Sequence, residues 1–413
     1  MSKRKSWESL RPWPVYLTAA MIPFSLAATN LFKLLMVLFT LIALGVDLAR
    51  HERLPVLRQL RTPAVAVLML AALAVSLAYT TAPLDDALHE LNKYSKLLLI
   101  PLALVLLRRR PEAVLALGCY VVAESFVVLT SYLLTMGLDL PWVIKPLAVR
   151  IVVGTAYSSY LDQSIMTAGL AALAWHLRHE FPGRFGPRVA IGLVLLCAVN
   201  VLLLLPGRSA QVALLVAMAM ALFWAVPRRA RPAAVLLPFM VALSVMAMST
   251  HFKDRVSAVL TESVAYGNGD RTPTSSGIRL GFWYRSLQAI AEQPLTGFGV
   301  GSWNSVYKRL EAGGVSPEFA EVRNPHQEYL LWGVQLGVGG IALFLAYLLV
   351  LLRDTARFPR DIRHATRTFV TMFAVVCLFN SALFDALIGD YFCLIPGLLL
   401  ALGSLSPTGE AGA

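Results

Sequence analysis

VAIGLVLLCAVNVLLLLPGRSAQVALLVAMAMALFWAV, residues 189–226, contains one charged side chain, Arg208. Two apolar runs, Val189–Leu205 and Val212–Val226, flank the short turn Pro206–Gly207–Arg208–Ser209. With semi-polar flanks, each run approaches the ~20 residues that carry a helix across a bilayer. Hydrocarbon offers no partner to an open backbone N–H or C=O, so both runs are expected as helices. Ala64–Tyr79, Leu97–Leu107 and Ile341–Leu352 are likewise almost free of charge. Over the whole chain of 413 residues, 57% are apolar and 15% charged. A soluble domain is nearer half apolar and a quarter charged, by rough averages.

The reading gives an all-α, polytopic membrane protein of about 12 transmembrane helices. The expected spans are 13–29, 31–48, 63–80, 95–107, 112–135, 164–178, 189–205, 210–226, 233–249, 331–352, 368–386 and 391–405. The chain then divides into spans one to nine (1–249), one large, partly helical outer loop (250–330), and spans ten to twelve with a C-terminal tail (331–413). Charge sets the orientation. Of the 36 Lys and Arg, 22 fall at the N-terminus and in the loops on its side of the membrane. By the positive-inside rule that side is cytoplasmic, as are both termini. The net charge of +12 is therefore topological. There is no basic face interleaved with aromatics, and no nucleic-acid partner is expected. Cys119, Cys197, Cys377 and Cys393 all fall in expected spans and read as small core residues without disulfides. Met1–Pro14 is basic and polar and leads into a span expected to be retained, so no cleavable signal peptide is read.

A loop of about eighty residues inside a compact protein is usually functional. In this one, Asn268–Gly277 reads as coil, Ile278–Ile290 as an amphipathic helix, and Gly297–Gly301 (GFGVG) as a tight turn. His326, in Asn324–Pro325–His326–Gln327–Glu328, stands where the loop rejoins the membrane. A neutral imidazole suits general-base work on a hydroxyl. An interfacial histidine capping a span is the structural alternative. Gly333, Gly337 and Gly340 on the following span read as positions of close helix packing. Arg208 sits at the membrane surface, where a guanidinium needs a partner: a phosphate held bidentately, or lipid headgroups reached by snorkelling. Arg279 and Arg285 lie on the loop helix, and Lys145 and Arg150 in a shorter outer loop, Gly137–Gln163. Asp385 and Asp390 flank the last outer turn; a carboxylate there could orient His326, bind sugar hydroxyls or pair with a loop arginine. Together these residues describe an outer face suited to an anionic substrate. Neither a P-loop nor GxSxG nor a zinc-binding helix is found, and no metal or cofactor is expected.

The string His326–Gln327, nine residues, then Gly337–Val338–Gly339–Gly340 resembles the H[N/S/Q]-x9-G-x-x-G motif of bacterial O-antigen ligases. Arg208–Ser209–Ala210 resembles the start of their R-x3-L motif, with Val212 where the family prefers Leu. The stretch from Arg279 through Trp283 to Pro294–Gly299 is similar to part of their large periplasmic loop. The resemblance implies a glycosyltransferase of the bacterial inner membrane with its site facing the periplasm, acting in lipopolysaccharide synthesis. The donor would be an O-antigen glycan on undecaprenyl pyrophosphate, the acceptor a sugar hydroxyl of lipid A–core. By the same resemblance His326 would be the base, and Arg208 and Arg279 would bind the pyrophosphate. Lys145, Arg150 and Asp385 are added as substrate-binding candidates on position and charge. O-antigen polymerases and protein O-oligosaccharyltransferases share the superfamily; a lipid-linked glycan transporter would want midplane polar groups and internal repeats.

Overall fold

The computed structural model of the protein describes residues 7–49, 59–143, 154–247, 275–311 and 322–407, and among them the secondary structure is helical, with no strand. The helices are α1 Trp13–Met21, α2 Leu26–Ala49, α3 Thr62–Ser76, α4 Leu84–Tyr94, α5 Leu99–Leu106, α6 Arg110–Thr135, α7 Tyr160–His176 and α8 Gly186–Val199. After them come α9 Arg208–Ala225, α10 Arg231–Ala247, α11 Ser275–Glu292, α12 Trp303–Leu310, α13 Glu328–Asp354, α14 Arg360–Val376 and α15 Ala386–Leu405. Proline opens α1, α3, α6 and α8 within the first turn, where its missing N–H costs no helical bond.

A helix stands in each of the twelve segments read as spans. Among the described residues six helices are long and apolar enough to cross a membrane: α2, α6, α8 with the π turn that extends it to Leu204, α9, α13 with its extension to Arg357, and α15. Others are shorter, α1 at 9 residues and α5 at 8. The first two spans were expected to divide near residue 30, but the break comes at Pro23–Ser25. Proline ends α1, and the Ser25 hydroxyl accepts the Ala28 N–H (3.3 Å) to start α2. Of the stretch expected as coil, Asn268–Gly277, residues 268–274 lie outside the described residues, and from Ser275 the chain is already the helix α11.

Helix α15 is the axis of the bundle. Leu387–Gly403 is buried without a break, against α5, α6 and α14. By contrast α2 exposes Leu31, Leu34, Leu38 and Leu41, and α8 exposes Val189, Leu195 and Leu196. Rows of exposed leucine on a bundle with a packed core are the surface a lipid solvent permits.

The two ends of the bundle differ in chemistry. At one end arginines are neutralised by acids: Arg108 with Asp47, Arg110 with Glu180, Arg109 and Arg11 with Glu112. There Asp354 also accepts the Arg61 and Thr62 N–H groups (both 2.8 Å), capping α3 from a distant segment. At the opposite end the loops interlock. Gly337 breaks the α13 helix with φ 65° and ψ −158°, which frees carbonyls one turn earlier. Phe298 N–H donates to Val334 O (2.8 Å) and Gly299 N–H to Gln335 O (2.9 Å), while Val338 N–H returns to Pro294 O (2.8 Å). The GFGVG turn is thus stitched into the kink. Gly337 was expected to admit a neighbouring helix and instead admits a loop: a Cβ there would stand 2.3 Å from Pro294 O.

Candidate active site

His326 has φ 53°, the one positive value off glycine among the described residues. Such a conformation is costly for a side chain with a Cβ and persists where its surroundings enforce it. Here Asn324 Oδ1 accepts the His326 N–H (2.9 Å), closing an Asx turn across Pro325. The following residues are held as firmly. Gln327 N–H donates to Ser381 Oγ (3.1 Å), and Gln327 Oε1 caps α13 by accepting Leu330 N–H. Glu328 is fully buried. Its Oε2 accepts the Leu383 and Phe384 N–H groups (2.9 and 3.3 Å) and its Oε1 the Trp332 indole N–H (3.0 Å). The residues that follow the imidazole are therefore bonded to the turn between α14 and α15, while Asn324 fixes its backbone from the other side.

That turn reaches Arg208 as well. Asn380 Nδ2 donates to Ser209 Oγ (2.8 Å), tying the start of α9 to the loop that holds Gln327. Arg208 is the first residue of α9, so its charge stands at the positive end of the helix dipole. On the other flank α11 presents Phe282, whose ring stacks on His326 (centroids 6.2 Å apart, 30° between planes), and, one turn before it, Arg279. Electrostatics links the three: burial and then Arg208 lower the pKa of Arg279, and burial and then Arg279 lower that of His326. Neither Arg208 nor Arg279 pairs with a carboxylate among the described residues, unlike Arg285, which binds Glu311 (3.3 Å). A neutral imidazole beside Arg279, with Arg208 and the α9 N-terminus on the far side of Arg279, suits an anion near a hydroxyl to be deprotonated.

Asp385 lies next to this group. It lines a cavity of ≈ 400 Å³ with Asp162, Ser158, Ser159 and Tyr157. Burial and Asp162 push its carboxyl up to about 6, against the pull of Lys96 and Lys93. The structure gives Asp385 no bond to His326; Asp385 N–H donates to Ser381 O (2.9 Å), the residue whose hydroxyl accepts the Gln327 N–H. Asp390, its companion in the sequence, faces away and pairs with Lys33 (2.8 Å). Lys145 and Arg150 lie outside the described residues. Among the described residues no group of three or more His, Cys, Asp or Glu could hold a metal ion.

Sequence reading missed Asn324, Phe282, Glu328, Asn380 and Ser381, which hold the site together, and Lys33 and Lys96 beneath it. An Asn before Pro signals an Asx turn, and a lysine inside an apolar run asks for a partner; both signals were available. The contacts of Asn380 and Phe282 had none.

The fold and the site define a multi-pass helical membrane protein with a cationic, histidine-bearing site at one end of its bundle. Residues 193–345, somewhat more than a third of the chain, match the family model described as O-Antigen ligase. The match runs from α8 into α13 and takes in Arg208, Arg279, His326 and Gly337. A search among curated proteins finds no match.

Proposed function

We propose that the protein is an O-antigen ligase, moving a glycan from undecaprenyl pyrophosphate to a sugar hydroxyl of lipid A–core. The observation that carries this reading is the convergence of His326, Arg279 and Arg208 at one end of the bundle within the matched domain. His326, neutral at pH 7, takes the proton from the acceptor hydroxyl. The oxygen attacks the anomeric carbon as the carbon–oxygen bond to the pyrophosphate breaks, and that pyrophosphate leaves with the electron pair. Arg208, Arg279 and the α9 N-terminus stabilise its growing charge, so neither a metal nor an acid is required. Direct displacement inverts the anomeric centre. Lys145 and Arg150 would add cations for the donor, and Asp385, with its partner Asp162, would hold sugar hydroxyls.

The topology belongs to the same proposal. Twelve spans, residues 250–330 as a periplasmic loop, and the acid-paired arginines on the cytoplasmic side of the inner membrane put the site in the periplasm, where the donor is presented. The test is a transfer assay with purified protein, lipid-pyrophosphate glycan and lipid A–core, without nucleotide and with chelator. Transfer by wild type and none by His326→Ala is the expected result. Lengthening of the lipid-linked glycan would make the protein a polymerase, and modification of a protein acceptor an oligosaccharyltransferase. Transfer rescued by a divalent ion would overturn the metal-independent mechanism.

A further inference from the structure

Glu90 on α4 is 1% exposed, and its Oε2 has no hydrogen-bond partner among the described residues. A buried carboxyl oxygen left unpaired costs stability, and one that faces a cavity has a reason to be kept. Glu90 borders a cavity of ≈ 300 Å³, separate from the one that Asp385 lines. Asp86 shares its side of the cavity; Asn304, Ser305 and Lys308 of α12, with Arg323, form the other. The walls meet because Gly301 (φ 79°) lets the backbone approach α4 so closely that a Cβ would lie 2.9 Å from the Ala87 Cα.

The lining combines two kinds of recognition. Lys308 is exposed and has no carboxylate partner among the described residues; Arg323 is held by Asp86 (3.0 Å). Asn304 and Ser305 are fixed by bonds to Val322 O and Ser302 O (both 2.8 Å). Burial pushes the Glu90 carboxyl up to about 7, against the pull of Lys93 and Arg323, so near neutrality it can either donate or accept a hydrogen bond. Cations with a polar, partly protonated acid fit a ligand that has both an anionic group and hydroxyls.

We propose that this cavity binds an anionic sugar residue, its phosphate or carboxylate against Lys308 and Arg323 and a ring hydroxyl against Glu90. Arg323 lies three residues before His326, so a sugar held here belongs to the acceptor chain led toward the base. That last step rests on the proposed transfer, whereas the binding does not.

The experiment titrates the full-length protein in detergent with methyl glucoside 6-phosphate, methyl glucuronide, methyl glucoside and inorganic phosphate, following binding by calorimetry or ligand-observed NMR. At least one charged glycoside should bind about tenfold more tightly than both the neutral glycoside and inorganic phosphate. Lys308→Ala should lose that tenfold advantage and Lys308→Arg should keep most of it. Glu90→Leu should weaken the charged glycoside toward the affinity of inorganic phosphate while Tm holds or rises, a pairing that a structural role would not produce. Equal affinity for charged and neutral glycosides, phosphate binding as tightly as either charged sugar, or an unchanged Lys308→Ala would each overturn the site. Transfer measured on the same preparations separates the two ideas. Selective binding without transfer leaves the subsite and removes the ligase reading; transfer without selective binding does the reverse.

Discussion

At the residue scale the proposed transfer depends on the protonation of His326. Burial and the neighbouring Arg279 both disfavour the imidazolium, so the pKa lies below the usual 6.5. The neutral base thus persists as pH falls, and the acid limb of kcat/KM should lie below that value. Replacing Arg279 by Gln removes one of the two causes; the limb should then move to higher pH while donor affinity falls. A pH profile over roughly pH 5 to 8 decides it, and a limb that stays in place would make Arg279 irrelevant to the base. His326→Ala should lower transfer on the order of 10²–10⁴-fold with folding intact, since the contacts that secure this segment come from Asn324, Gln327 and Glu328.

At the element scale the kink in α13 explains a motif whose glycines look equivalent in sequence. Gly337 and Gly339 are two residues apart, yet a Cβ at Gly337 meets backbone at 2.3 Å whereas one at Gly339 meets nothing within 4 Å. Gly337→Ala should cost on the order of 2–5 kcal/mol, from positive φ and a forced backbone clash, and should take transfer down with it. Gly339→Ala should leave both unchanged or gain up to about 1 kcal/mol, as alanine does inside a helix. Thermal unfolding of the two variants in one detergent reads the contrast. Equal losses would mean that the loop does not depend on the kink.

At the scale of the whole molecule, the bundle is tied by charges far apart in sequence. Lys33 of α2 and Asp390 of α15 pair at 2.8 Å, with the carboxylate 1% exposed. Lys33→Met leaves that buried carboxylate without its hydrogen-bonded partner, the charge of Lys96 remaining nearby, and should cost about 3–5 kcal/mol. Lys33→Met combined with Asp390→Leu removes both charges and should recover most of the loss; a double variant as unstable as the single one would show that packing, not charge, is at fault. Orientation is tested on the same scale. Arg184→Cys, at the end where arginines are paired with acids, should react with an impermeant thiol reagent only in broken cells. Leu295→Cys, 86% exposed at the other end, should react in intact spheroplasts. The inverse pattern would place the site in the cytoplasm.

The sequence alone determined the helical class, because long apolar runs in a membrane leave the backbone no other way to pair. It also singled out His326 and Arg208 as candidates, since each stands at the polar end of an apolar run, where such a side chain is conspicuous, and Arg279 through the loop helix that carries it. Helix lengths escaped it: a hydropathy window averages over Pro23 and Ser25, which end one helix and cap the next. So did the distinction between Gly337 and Gly339, and the partner of Asp390. These depend on which segment lies opposite. Only the tertiary structure brings the turn after α14 against Gln327 and Ser209, next to His326 and Arg208, and α11 against His326, because those contacts join residues 44 to 171 positions apart through side chains that are ordinary in isolation.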